Sequence, residues 1–99
     1  MDKGKPHYKL ASIQAHVARL GAEAFTKSAL DGGRAMGLTT SEMLDVIAKL
    51  SRRDFYKSMT THADHKTWQD VYHAETAFGT AYIKITLRDA APVIQFKEK

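Results

Sequence analysis

Phe78-Gly79-Thr80-Ala81-Tyr82-Ile83-Lys84-Ile85-Thr86-Leu87-Arg88 decides the fold. From Ala81 onward the side chains alternate. Ala81, Ile83, Ile85 and Leu87 fall on one face, and Tyr82, Lys84 and Thr86 on the other. That period of two is the signature of a half-buried strand, with one face in the core and the other free for chemistry. Residues 93–97 repeat the pattern, with Ile94 and Phe96 apolar and Val93, Gln95 and Lys97 pointing the opposite way. Asp89-Ala90-Ala91-Pro92 between them reads as a tight hairpin connection. Pairing Arg88 with Val93 across it sets Ile85 against Phe96 and Leu87 against Ile94, and brings Lys84 opposite Lys97 on the outer face.

Working backward, residues 55–61 and 68–73 are also rich in β-branched and aromatic side chains between turn signals, and read as strands. Before residue 51 the spacing is helical. Leu10, Ile13, Val17 and Leu20 form one stripe, ended by Gly21. Residues 22–26 read as extended, and 27–36 as a weaker helix interrupted by Gly32 and Gly33 and stopped by Gly37. Thr39 and Glu42 stand at capping-box spacing, with Leu38 and Met43 at the staple positions. Met43, Val46, Ile47 and Leu50 then form a buried stripe. Helices followed by an antiparallel sheet define an α+β domain, and the absence of repeats or linkers predicts one domain over 1–99.

The 99 residues contain no cysteine, which excludes disulfides, thiolate zinc sites and a cysteine nucleophile, and fits a reducing, cytoplasmic setting. No apolar run approaches the roughly 20 residues of a membrane helix, and the N-terminus carries no secretory signal. The formal charge of +4 points to an anionic partner, but both halves are mildly basic and there is no polybasic arm. Folding must therefore gather the charge into a patch.

Two lysines facing each other on a sheet repel, and a phosphate between Lys84 and Lys97, with Tyr82 and Gln95 beside it, would turn that cost into binding. The structural alternative is two lysines splayed into water, with Tyr82 an amphipathic surface ring. Histidines cluster as well. His62, His65 and His73 lie within twelve residues, and two of them would serve as an acid–base pair for phosphodiester cleavage. His62-Ala63-Asp64-His65 is a weak metal signal, lacking cysteine and helical spacing, and the reading assigns no metal and no cofactor. Gly32-Gly33 is no phosphate cradle, since the surrounding glycines and the Lys-Ser/Thr pair are missing.

Four segments carry a resemblance: DFYKSMTT at 54–61, WQDVY at 68–72, YIKIT at 82–86 and the terminal FKEK at 96–99. With Pro6-His7 near the start, they resemble the motility quorum-sensing regulator toxins (MqsR family) over nearly the whole chain. The resemblance implies a RelE/YoeB-like toxin fold. It also implies the toxin of a type II toxin–antitoxin pair, an mRNA interferase cutting messenger RNA at short GC-containing sites to arrest translation and growth. The implied partners are mRNA and a tightly bound cognate antitoxin, with no membrane and no direct DNA binding by the toxin alone. Carried over position by position, Lys57, Gln69 and Tyr82 match the residues the family uses for activity. Tyr56, Met59 and Lys97 are neighbours, and Lys84, His65 and His73 are further supporting candidates. His73 stands where the family pattern leads one to expect arginine, and His62 where it leads one to expect tyrosine.

RNA supplies its own nucleophile, so an enzyme need only align the 2′-hydroxyl, move two protons and stabilise the phosphorane, without metal. The products expected are a 2′,3′-cyclic phosphate and a 5′-hydroxyl, and DNA is refused. The sequence leaves open a non-catalytic RNA-binding or ribosome-associated module, for which basic and aromatic side chains on a sheet face suffice. A protein-interaction domain using the strand edge is the third class.

Overall fold

The computed structural model describes residues 2–63 and 65–99. Its elements are β1 (Asp2–Lys3), α1 (Leu10–Leu20), α2 (Lys27–Met36), α3 (Thr40–Lys49), β2 (Phe55–Thr60), β3 (Trp68–Thr76), β4 (Gly79–Arg88) and β5 (Ala91–Glu98), with short 3-10 turns at Gly21–Ala24 and Arg52–Asp54. The five strands form one antiparallel sheet in the order β1-β2-β3-β4-β5, so the predicted α+β arrangement of helices followed by sheet is the observed one.

The helices cover one face. Ile13 and Val17 of α1, Ala29 and Met36 of α2, and Met43 and Ile47 of α3 are buried against Tyr72, Ala74, Ala81, Ile83, Ile85, Ile94 and Phe96 of the sheet. Caps fix where the helices start. The Thr26 hydroxyl accepts from Ala29 N at the head of α2, and Thr39 and Glu42 form the full capping box of α3. Such caps supply partners for backbone donors that have none within the helix.

The structure corrects four expectations. Within residues 22–26, the 3-10 turn takes the part up to Ala24 and only Phe25 and Thr26 are extended, with Phe25 bridged in parallel to Ile94. Helix α2 runs through Gly32 and Gly33 without a break. The glycines serve packing: a Cβ at Gly32 would collide with the Phe96 carbonyl oxygen of β5, and one at Gly33 with the Met43 side chain. A third difference is β1, which pairs with Met59 and Ser58 of β2 and was not visible as a strand.

The fourth is the hairpin register. Arg88 pairs with Ala91, not Val93, across a two-residue loop in which Asp89 and Ala90 both take positive φ, 50° and 64°. That is the handedness of the primed turns that match strand twist. Ile85 therefore faces Ile94 and Ile83 faces Phe96. On the outer side Lys84 faces Gln95, and Lys97 faces Tyr82, so the two lysines are not directly opposed.

Candidate active site on the open face of the sheet

Alternation along β2, β3 and β4 sends every second side chain away from the helices. In the row Lys57, Val71, Lys84, Gln95, each residue is the registered partner of the next. On one side of it runs the row His73, Tyr82, Lys97, and on the other the pair Met59 and Gln69. Strand spacing separates Lys57 from Lys84 by about 10 Å, with Val71 between them. Val71 has no solvent exposure, although it belongs to the face without helices. The long polar side chains around it lie over it and make it the floor of a shallow basic dish.

The aromatic members form a ladder. Tyr56, more than half exposed, stacks on His73 with ring centroids 4.4 Å apart and planes at 21°. His73 meets Tyr82 at 5.5 Å. Lysines flank both ends: Lys57 Nζ lies 5.6 Å from the Tyr56 ring centroid, and Lys97 Nζ lies 5.5 Å from that of Tyr82. Cations over ring faces gain from the ring quadrupole, so the ladder orders side chains that would otherwise sweep freely.

Lys57 also forms an ion pair with Asp2 of β1 at 3.5 Å. This is the use the molecule makes of its two-residue first strand, which brings a carboxylate to the lysine from the far end of the chain. Burial, followed by the Lys99 charge, lowers the His73 pKa below its ordinary value. Its Nε2 is buried without a hydrogen-bond partner. His73 is thus a neutral ring in the middle of the stack, holding Tyr56 and Tyr82 in place.

Tyr82, Lys84, Gln95 and Lys97 line a cleft of about 150 Å³, together with Ser28 and Ala29 at the start of α2. The four residues expected around a phosphate are therefore gathered, through a neighbouring register and not through a direct lysine pair. Lys57, Gln69, Tyr82, Tyr56, Met59, His73, Lys84 and Lys97 all belong to this face. His65 does not join them. It is exposed, as is His62, in the β2–β3 connection, whose Asp64 lies outside the described residues. Among the described residues, no three of His, Asp and Glu come together as a ligand set.

Sequence reasoning missed the part played by Asp2, the Val71 floor and the stacking of Tyr56 on His73. A single strand pattern gives no access to cross-strand neighbours until the register is known.

Residues 5–98 match the family described as motility quorum-sensing regulator, toxin of MqsA. The mRNA interferase toxin MqsR of Escherichia coli (strain K12) is 42% identical over 99 residues, with the whole of both chains covered. With the family match spanning nearly all of its length and a relative aligned end to end, the chain belongs to the motility quorum-sensing regulator toxin family.

Proposed function

We propose that the open sheet face is the ribonuclease site of this toxin, with Lys57, Gln69 and Tyr82 as its catalytic residues. As a family member the chain is an mRNA interferase, the toxin half of a toxin–antitoxin pair. One observation carries the site assignment: three lysines, two tyrosines and two glutamines share the one sheet face that no helix covers, around the Val71 floor.

The chemistry follows from what these groups offer. The 2′-hydroxyl attacks the adjacent phosphorus and passes its proton to a base, solvent water or a side chain of this face, while the bond to the 5′-oxygen breaks and that oxygen takes a proton from a general acid. Lys57 or Lys97, at opposite ends of the ladder, supplies positive charge to the non-bridging oxygens as the phosphorane forms. Tyr82, between His73 and Lys97, donates a proton to the leaving oxygen or stacks on a base, and the Gln69 amide orients the phosphate or a base edge. Tyr56 offers an exposed ring for stacking, Met59 an apolar neighbour, and Lys84 a further phosphate contact. Cleavage then needs no metal or cofactor and yields a 2′,3′-cyclic phosphate.

The helix-then-sheet order supports a RelE/YoeB-like fold formed by one interferase domain over 1–99. The family description supports a cognate antitoxin that binds tightly, an intracellular, cytoplasmic place of action, and no DNA binding by the toxin alone. GC-containing cleavage sites remain the expectation for its substrate.

The test is cleavage of a defined RNA by purified protein in EDTA, beside Lys57→Ala, Gln69→Ala and Tyr82→Phe. Activity is expected to survive the chelator and to fall about 100-fold in at least the lysine variant, the scale of losing one transition-state donor. Full activity in all three variants would overturn the site, and loss with EDTA would overturn the metal-free scheme.

A further inference from the structure

On the opposite side of the sheet, the segment leading into α1 forms a second cleft with Arg52 and Tyr72, of about 430 Å³. Its lining includes three cations, Lys5, Lys9 and Arg52, and no carboxylate. Two acids act on Tyr72 from outside the lining: Asp70, 1% exposed, already accepts from His7 N, Tyr8 N and the Ser58 hydroxyl, and Asp54 accepts from Ser51 N. His7 also lines the cleft, but burial and then Lys3 lower its pKa below the ordinary value, and its Nδ1 accepts from Lys3 Nζ at 3.0 Å.

Tyr72 is the independent sign that this cleft takes a ligand. Its side chain is 1% exposed, and Phe55 holds its ring edge to face at 5.5 Å. None of the hydrogen bonds among the described residues involves its hydroxyl, and Tyr72 lines the cleft. A phenol that opens into a cationic cleft is available to bond a ligand oxygen in place of water. Burial first, and Asp70 next, push the Tyr72 pKa up to about 12, so at neutral pH the group is a donor and seeks an acceptor. Guanidinium, two ammonium groups and a phenol donor together suit a phosphate oxygen.

Adjacent residues of β2 face the cleft and the open sheet face in turn. Phe55 packs on Tyr72 toward the cleft, with Arg52 5.8 Å from its ring centroid, while the next residue, Tyr56, stacks on His73 on the other face. Strand β1 pairs with β2 only at Ser58 and Met59, leaving the edge at Phe55–Lys57 open to a strand crossing between faces. We propose that this cleft is a second RNA-binding site, which holds a backbone phosphate of the substrate at a distance from the scissile one. It rests on the reading of the open face as the cleavage site. It assigns Tyr72, Arg52, Lys5 and Lys9 to affinity for longer RNA and gives them no part in bond cleavage.

The experiment uses two unstructured RNAs with the same cleavage sequence, one short and one extended at both ends. Binding and cleavage are measured against salt for wild type, Arg52→Ala with Lys9→Ala, and Tyr72→Phe. Wild type is expected to bind the extended RNA more tightly. The double variant is expected to lose about tenfold of that affinity, with its salt slope falling by roughly 0.7 for each cation removed. Tyr72→Phe is expected to lose severalfold, and short-RNA cleavage by either variant stays within twofold of wild type. Arg52 and Lys9 are exposed, so their replacement tests the site even where Tyr72→Phe impairs folding. Equal changes for both RNAs, or none, would overturn the proposal. Weakened antitoxin binding with unchanged RNA affinity would overturn it in favour of an acidic protein segment. Full short-RNA activity in Lys57→Ala marks the separate failure of the cleavage-site reading.

Discussion

Asp70 sits on the helix side of β3 with 1% exposure and, among the described residues, no cation bonded to it. It keeps its place because three donors converge on it: His7 N at 3.0 Å, Tyr8 N at 2.8 Å and Ser58 Oγ at 2.6 Å. Asp70→Ala would orphan all three, and each orphaned buried donor costs about 1–3 kcal/mol, so urea denaturation is expected to show a loss of roughly 3 kcal/mol or more. The WQDVY string made Asp70 conspicuous, yet its role was illegible because two of its partners lie more than sixty residues away. The histidines add a pH effect. His7 and His73 are both held below their ordinary pKa of 6.5, in each case chiefly by burial. Near and below that pH the unfolded chain takes up protons that the folded chain resists. Their contribution to stability is therefore complete above 6.5 and lost as the pH falls through that window. The denaturation midpoint is expected to drop from pH 7 to about pH 5.5, and a His73→Gln variant to show a shallower drop.

At the scale of elements, the β4–β5 hairpin explains both what the sequence revealed and what it concealed. Alternation identified the two strands and their core faces correctly, because a misplaced face would bury Lys84 and expose Ile83. It left the register two residues out, because a slip of two returns every side chain to its own face. The turn settles the matter, and its chemistry is unusual: Asp89 and Ala90 hold positive φ without glycine. An alanine in the left-handed region costs roughly 1–2 kcal/mol. Ala90→Gly removes that strain, offset in part by greater freedom of the unfolded chain, and is expected to raise stability by about 1 kcal/mol in thermal denaturation with cleavage unchanged. Destabilisation would contradict the two-residue loop. Helix α2 carries the same lesson in reverse. Gly32 and Gly33 lower its local propensity, but their missing side chains admit the Phe96 carbonyl and Met43, and this tertiary packing outweighs the local signal. For the site, side-chain types and strand alternation brought Tyr82, Lys84 and Lys97 together and the family resemblance added Lys57, whereas the ladder through His73 needed the cross-strand neighbours that only the fold supplies.

For the whole molecule, the proposed cleavage site on the open sheet face predicts what kind of RNA it cuts. Helices cover one face, and the other is an open dish whose lysines at 57 and 84 stand about 10 Å apart across two strand spacings. A shallow surface of stacked rings and long cations suits splayed single-stranded nucleotides, whose bases reach Tyr56 and Tyr82 while the phosphate meets lysine. A duplex offers neither. Its bases are stacked on one another, and its 2′-hydroxyl and adjacent phosphorus are held in helical geometry, away from the in-line attack that cleavage needs. The same cleavage sequence is thus expected to be cut at least tenfold more slowly inside a stable RNA stem than in an unpaired loop, as measured by initial rates on end-labelled RNA. A 2′-deoxy substitution at the scissile nucleotide should abolish cutting and leave binding within a fewfold, because the nucleophile is lost while the phosphate and ring contacts remain. Equal rates in stem and loop would mean that the protein opens duplexes or reads them by shape, and an open sheet face with exposed stacking rings would then be the wrong surface for its substrate.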